Sequence, residues 1–399
     1  MDNGGGAGGQ RPGESGQREE SEYPAVCVVT HPLGAAGENA TRTLLEILGA
    51  ITAVSLVTAN LPGNSTIRDR YEVVELTSAG AGQGSVPVAA FRFLVNQLRM
   101  AVAVARRDEP VILFFGATSY LLPVLVARLT GHVVVLEPRG DVPLTLRLAW
   151  ETHLPAPIAR GLAGAVRLLE SSCYHLASAI VTYTPSMARE LGLDRFAGKL
   201  HPSGARYVDV DQFSPETPMM ERPLHVGFVG RLAEEKGVRT LAEVAARLPE
   251  DVTFVFVGDG PLRPWLKERL AGEVSDGSVE IRGWVDHDDI PATLDGLRLL
   301  VMPSQPTEGL PTTILEAMAC GAPAYASPVS GVPDVIVDGE TGFLMTETGP
   351  EAISGRIERI LHLDDLARIG ENARDLAVST YGFEAAVDRY RDILAALDR

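Results

Sequence analysis

The chain has 399 residues, 45% of them hydrophobic and 6% aromatic, and a net charge of −17. One core rarely serves that length, so two domains are expected, and so acidic a surface excludes general nucleic-acid binding, which needs a basic face. Only Lys199, Lys236 and Lys267 are lysines among the 35 basic residues. A GC-rich genome accounts for arginine in place of lysine, but the acidity needs its own cause. Excess carboxylates keep a surface hydrated in concentrated salt, which predicts a halophilic, archaeal source.

In chain order, residues 1–21 read as a disordered acidic, Gly-rich tail with no apolar signal region. Cys27, Cys173 and Cys320 are odd in number and far apart, which suits a reducing cytoplasm. The longest apolar stretch, from Val111, is broken by Gly116 and Pro123 and reads as a buried strand and helix rather than a membrane span. Strands are predicted at 25–30, 51–58, 71–76, 111–115, 132–137 and 179–184, with helices such as 88–107 and 158–177 between them. Continuous apolar strands alternating with helices indicate a parallel sheet covered on both faces. A Pro-rich polar break within 213–223 reads as a linker. Alternation then restarts, with strands at 225–230, 253–258, 279–284, 299–304 and 323–327. The predicted organisation is an N-terminal domain at 22–213, a linker at 214–223, a C-terminal domain at 224–375 and a final helix at 376–399 crossing back to the first domain.

Such sheets bind ligands beyond the carboxyl ends of their strands, which directs attention to four loops. "RLAEEKGV" (231–238) follows the strand ending at Gly230. A helix starting beyond a strand end makes an anion site, and Arg231 with Lys236 suits a diphosphate; a solvated loop of alternating charge is the competing reading. "FVGDGP" carries Gly258, Asp259 and Gly260, which a tight turn explains by itself. "IRGWV" ends at Trp284 and Val285, where a glycine lets a planar base approach the main chain. In "EGLPTTILEAMACGAP" (308–323), Glu316 lies among Ile314, Leu315, Ala317 and Met318, and Glu308 precedes the turn. A carboxylate in that company costs several kcal/mol unless it is paired or aimed at a ligand.

These segments, with "HPSGARYVDVDQFSP" (201–215) and "SGVPDVIVDGETGFL" (330–344), resemble family 4 of the retaining glycosyltransferases. The resemblance is dense over roughly 200–345 and extends upstream only as pattern. It implies the GT-B fold: α/β, two Rossmann-like doubly wound domains facing a central cleft. It also implies that Arg231 and Lys236 hold the diphosphate of a UDP- or GDP-linked sugar, that Glu316 bonds the ribose and that Glu308 bonds the transferred sugar. Gly230, Asp259, Gly260, Gly309, Leu310 and Pro311 would line the donor pocket, and backbone near Trp284 and Val285 would meet the base. Gly34 and Gly37, in the loop "HPLGAAGEN", would supply N–H groups near the phosphates, although the family often has adjacent glycines there. At "LEPRGD" many relatives place a histidine, whereas this chain has Glu137, Arg139 and Asp141. The implied reaction retains configuration and uses neither a metal nor a cofactor beyond the nucleotide sugar. "DVD" (209–211) is read as structural.

The acceptor implied is a glycan or lipid-linked glycan, met in the cytoplasm or at the inner face of the membrane. Residues 86–170 hold nine arginines against six acids, with Phe91, Phe93 and Trp150 among them. That stretch is either a packed helical layer with its arginine tips in water, the commoner arrangement, or a peripheral surface for lipid headgroups. Two other functions are compatible with the fold: a non-hydrolysing sugar-nucleotide epimerase, and a non-catalytic nucleotide-sugar or glycan binder.

Overall fold

The computed structural model describes residues 22–77, 86–152, 154–204, 206–305, 307 and 309–397. The predicted tail at 1–21 lies outside the described residues. Strands β1 (Val26–Thr30), β2 (Val54–Thr58), β3 (Glu72–Glu75), β4 (Val111–Phe115), β5 (Val133–Glu137), β6 (Ala179–Val181) and β7 (Leu200–His201) form one sheet. Its order is β3-β2-β1-β4-β5-β6-β7, and every pairing is parallel. β1 and β4, VCVVT and VILFF, are buried at every position, because helices cover both faces of a parallel sheet. The second sheet comprises β8 (His225–Val229), β9 (Thr253–Val257), β10 (Val279–Gly283), β11 (Leu299–Met302), β12 (Ala324–Ala326) and β13 (Gly342–Leu344). Its order is β10-β9-β8-β11-β12-β13, again all parallel.

These are the two Rossmann-like domains that the alternation predicts. β7 and β13 were not predicted; two or three residues bear no apolar run to read. In each sheet strand order reverses beside its first strand, so the ligand crevices lie where β1 meets β4 and β8 meets β11. The connection between the sheets is held by Arg222, only 2% exposed. Its guanidinium donates to Asp295 at 3.0 Å and to the carbonyls of Thr217, Leu297 and Cys320, so the buried charge is both paired and hydrogen-bonded. The three cysteines are buried, and burial pushes each thiol up to about 12, which keeps them from acting as thiolates.

The chain returns to the first domain at Gly382, between helices Leu366–Tyr381 and Phe383–Leu397. A boundary at 376 therefore falls inside a continuous helix; the break comes later because Ala373 and Ala377 are still packed in the core. Helix Phe383–Leu397 packs against helix Ala35–Gly49, and its Tyr390 hydroxyl donates to the Glu137 carboxyl at the end of β5. The Val208 N–H donates to the Tyr381 carbonyl at 2.8 Å beside this crossing.

Burial pushes the Glu137 carboxyl up to about 8, against the opposing effects of the Tyr390 bond and of Arg206 and Arg139. A carboxyl whose folded pKa exceeds its unfolded value gives stability that is complete below the unfolded value, about 4.3. That stability is lost as pH rises through about 8. Glu137→Gln still accepts the Tyr390 hydrogen bond but cannot ionise. Its melting temperature should match wild type near pH 4 and exceed it by several degrees near pH 9, a difference on the order of a few kcal/mol. Thermal melts of both proteins across that range measure it; parallel curves would show that the Glu137 pKa is not raised by folding.

Candidate functional site

The crevice of the C-terminal sheet is assembled by main-chain contacts that tolerate only glycine. Gly258, at φ 131°, lies so close to the Gly230 carbonyl that a Cβ would stand 2.0 Å from that oxygen. Gly260, at φ 158°, would meet the Leu232 carbonyl at 2.5 Å. The loops after β8, β9 and β10 are thereby laced together, with Gly230 N–H donating to the Val257 carbonyl at 3.0 Å and Gly258 N–H to the Gly283 carbonyl at 2.7 Å. The Asp259 carboxylate accepts from the Gly260 N–H at 2.7 Å and pairs with Arg263 at 3.2 Å. Asp259 and Gly260 thus have a structural occupation in this loop.

Lys236 ends the short helix Glu234–Lys236 and is only 7% exposed. Gly237 follows at φ 71°, and a Cβ there would come within 2.6 Å of the Pro303 carbonyl. The Gln305 N–H donates to the Glu235 carbonyl at 2.8 Å. Lys236 is therefore pressed to the switch point, between the loops that follow β8 and β11. Arg231 is exposed beside it and pairs with Glu235. Helix Val238–Ala245 starts just beyond, adding its positive end to the same corner.

Glu308 lies outside the described residues. Leu310 is fully buried, Pro311 is the N-cap, and helix Thr312–Ala319 follows. Glu316 has the partner that its apolar neighbours demand: its Oε1 is 3.6 Å from Nε2 of His287. The bond with Glu316 raises the His287 pKa, against partial desolvation. The imidazole also meets the buried Phe213 ring edge-on at 5.5 Å. Trp284 is 69% exposed after β10, its indole N–H donating to Asp286 at 3.2 Å, and Val285 packs against the core.

The two domains meet across the Gly309 segment. The Gly309 N–H donates to the Arg139 carbonyl at 2.8 Å, and a Cβ on Gly309 would strike Met187 and Tyr183 of the first domain at 2.6 and 2.7 Å. Asp334 accepts from the Ser186 N–H at 2.8 Å and from its hydroxyl at 2.9 Å, and the Ser330 N–H donates to Glu190 at 2.6 Å. Beside these contacts is a cleft of about 540 Å³ lined by His31, Arg139 and Arg206 from one domain and by Thr307, Leu310 and Pro311 from the other. His31 is held well below its usual value, at about 4, by burial and by the Arg139 charge, so it stays neutral in this cleft. Gly34, the N-cap of helix Ala35–Gly49, has open space where a side chain would be. Gly37 lies one turn on, where a Cβ would come within 3.4 Å of the Arg139 guanidinium. Asp209 of "DVD" accepts from the N–H groups of Asp211 and Gln212, both at 3.1 Å, which closes a turn.

The profile of the family described as Glycosyl transferases group 1 matches residues 223–363. Those residues are similar to that family over 141 positions of the 399. They contain the β8–β11 crevice, with Lys236 and Glu316. Alpha-D-kanosaminyltransferase of Streptomyces kanamyceticus is 37% identical over 181 residues, covering 43% of this chain and 46% of that protein. A sulfoquinovosyl transferase of Arabidopsis thaliana is 28% identical over 321 residues, covering 75% and 58% respectively. The chain spans about half the length of the first of these relatives. Among solved structures, Anabaena HepE in complex with UDP superimposes with a TM-score of 0.68 at 16% identity, over 93% of this chain and 99% of that one. Sucrose-phosphate synthase from Thermosynechococcus elongatus gives 0.70 at 20%, over 94% and 100%. These likenesses establish the GT-B fold across both domains.

Three residues of the candidate site escaped the sequence. His287 falls in "VDHDDIP", which reads as a solvated turn. His31 and Arg206 follow strands of the other sheet and meet the group 1 domain only in the folded chain. Arg139 was visible as a departure from a family pattern, but its place in the cleft was not.

Proposed function

We propose that the chain is a retaining glycosyltransferase that moves a sugar from a nucleoside-diphosphate donor to a glycan acceptor, free or lipid-linked. The observation that carries this reading is the burial of Lys236 at the switch point of the family-matched sheet, with Arg231 and a helix start beside it. The donor's diphosphate is held at that corner and its ribose by Glu316, with Glu308 reaching the sugar and the base near Trp284 and Val285. As the bond from the anomeric carbon to the phosphate oxygen breaks, its electron pair leaves with the nucleotide. Fixed cations stabilise the growing negative charge by preorganised electrostatics. The acceptor hydroxyl attacks from the same face and its proton passes to the leaving phosphate oxygen. The His31–Arg139–Arg206 cleft receives the acceptor.

The test is product analysis with a panel of UDP- and GDP-sugars and glycan acceptors. Nucleotide release that requires acceptor, with a product of the donor's anomeric configuration, is the expected result. Inverted product would overturn retention; free epimerised sugar formed without acceptor would overturn transfer itself.

A further inference from the structure

The interdomain cleft is built around two arginines of the first domain, each on a loop that leaves the carboxyl end of a strand. Arg139, after β5, passes between two glycines: a Cβ on Gly116 would come within 3.0 Å of its side chain, and one on Gly37 within 3.4 Å of its guanidinium. Gly116 is at φ 66°, so a larger residue there would be strained as well as crowded. The Arg139 guanidinium lies 5.3 Å from the centre of the Phe115 ring, and that of Arg206, after β7, lies 4.6 Å from the centre of the Tyr183 ring. Stacking fixes a guanidinium by its face and leaves the N–H groups at its edge to meet a partner. The Arg206 Nε is buried with no hydrogen-bond partner among the described residues.

The described lining of the cleft inverts the charge of the chain. The chain has 52 acidic residues against 35 basic ones, yet the described lining holds Arg139 and Arg206 and no Asp or Glu. Described acids nearby are engaged elsewhere: Glu38 accepts from the Ser65 hydroxyl at 2.9 Å, and Asp141 pairs with Arg167 at 2.8 Å. Glu137, close to both arginines, is bonded to Tyr390, and burial pushes its carboxyl up to about 8, so at neutral pH it is mostly uncharged. A buried cation left without an anion costs free energy that a bound oxyanion recovers. Arginine only donates, so it meets a sugar hydroxyl on one side, whereas a carboxylate or phosphate accepts two of its N–H groups at once.

We infer that the acceptor seated in this cleft carries an anionic group, a carboxylate or a phosphate, which Arg206 receives with Arg139 beside it. Calling that occupant the acceptor rests on the proposed transfer reaction; the anion site itself does not. It is separate from the diphosphate corner at Lys236, because its cations stand on loops of the first sheet and Lys236 on a loop of the second.

The experiment is calorimetric titration of the full chain, at low salt, with glucose, glucuronate and glucose 6-phosphate. On wild type one of the two anionic sugars should bind at least about tenfold more tightly than glucose, the scale of one charge-assisted hydrogen bond, and which of them does so tells carboxylate from phosphate. That preference should be lost in Arg206→Gln, partly kept in Arg206→Lys and unchanged in Lys236→Ala. The comparison on wild type depends on no variant folding, and thermal melts check that the variants do fold. Equal binding of the three sugars to wild type, or binding of none, would overturn the inference. A preference that survives Arg206→Gln and disappears in Lys236→Ala would overturn it too, by placing the anion at the donor corner. UDP and GDP titrated alongside separate the two claims: an anionic preference without binding of either nucleotide would remove the transfer reading and leave the anion site standing.

Discussion

Replacing Lys236 by alanine should lower kcat by about a hundred- to a thousandfold, the scale seen when one fixed group stabilising transition-state charge is removed. Lys236 as a whole is 7% exposed at the meeting of two strand-end loops, so its charge is less screened by water than a surface cation. Lys236→Arg should not restore the rate. A compact ammonium and a planar guanidinium are not interchangeable in a confined site. Arg231 is largely exposed and shares its charge with Glu235, so Arg231→Ala should cost only about tenfold, within the range for a screened surface charge. Steady-state rates of the three variants measure the order. Equal losses for Arg231 and Lys236, or a Lys236→Ala rate close to wild type, would move the phosphate away from this corner.

Glu316→Ala should weaken donor binding by about ten- to a hundredfold, which corresponds to one charge-assisted hydrogen bond to a hydroxyl. The loss should appear mainly in the donor KM, because a ribose contact is made equally in the ground state and the transition state. The same substitution has a second readout in His287. With its partner gone, the imidazole pKa should fall back toward its ordinary value, which titration of the ring by NMR detects directly. In wild type that raised pKa means that the pair's stabilisation is complete below about 6.5. It is lost as pH rises through the raised value, so the Glu316→Ala stability curve should lose this feature. An unchanged donor KM together with a shifted His287 titration would make Glu316 a structural partner of His287 and nothing more.

Those two residues also show how much the sequence could disclose. The two parallel sheets were legible from strands such as β1, β4 and β9, whose apolar runs are nearly continuous, whereas β7 and β13 are two- and three-residue pairings made by the neighbouring strands. Lys236 was legible because lysine is scarce in this chain and the residue falls five positions after a strand-end arginine. The demand of Glu316 for a partner was legible too, but not the partner, because His287 arrives from the loop after β10. Glycines misled in one respect. Gly309 reads as a ligand-facing residue, yet in the folded chain its missing side chain lets Tyr183 and Met187 of the other domain approach. The Tyr390–Glu137 bond joins positions 253 residues apart. No local pattern announces a contact of that kind.

The account rests above all on a nucleotide diphosphate binding in the β8–β11 crevice. The most direct measurement is a thermal-shift series of UDP, GDP and other nucleoside diphosphates against the full chain, at low and at molar salt. A ligand bound only by the folded state raises the melting temperature, by about 2.7 kcal/mol of added stability at a hundredfold excess over Kd. The expected result is selective stabilisation by one nucleotide series, lost in Lys236→Ala and reduced in Glu316→Ala. Stabilisation by none of them, or equal stabilisation of wild type and Lys236→Ala, would contradict the account.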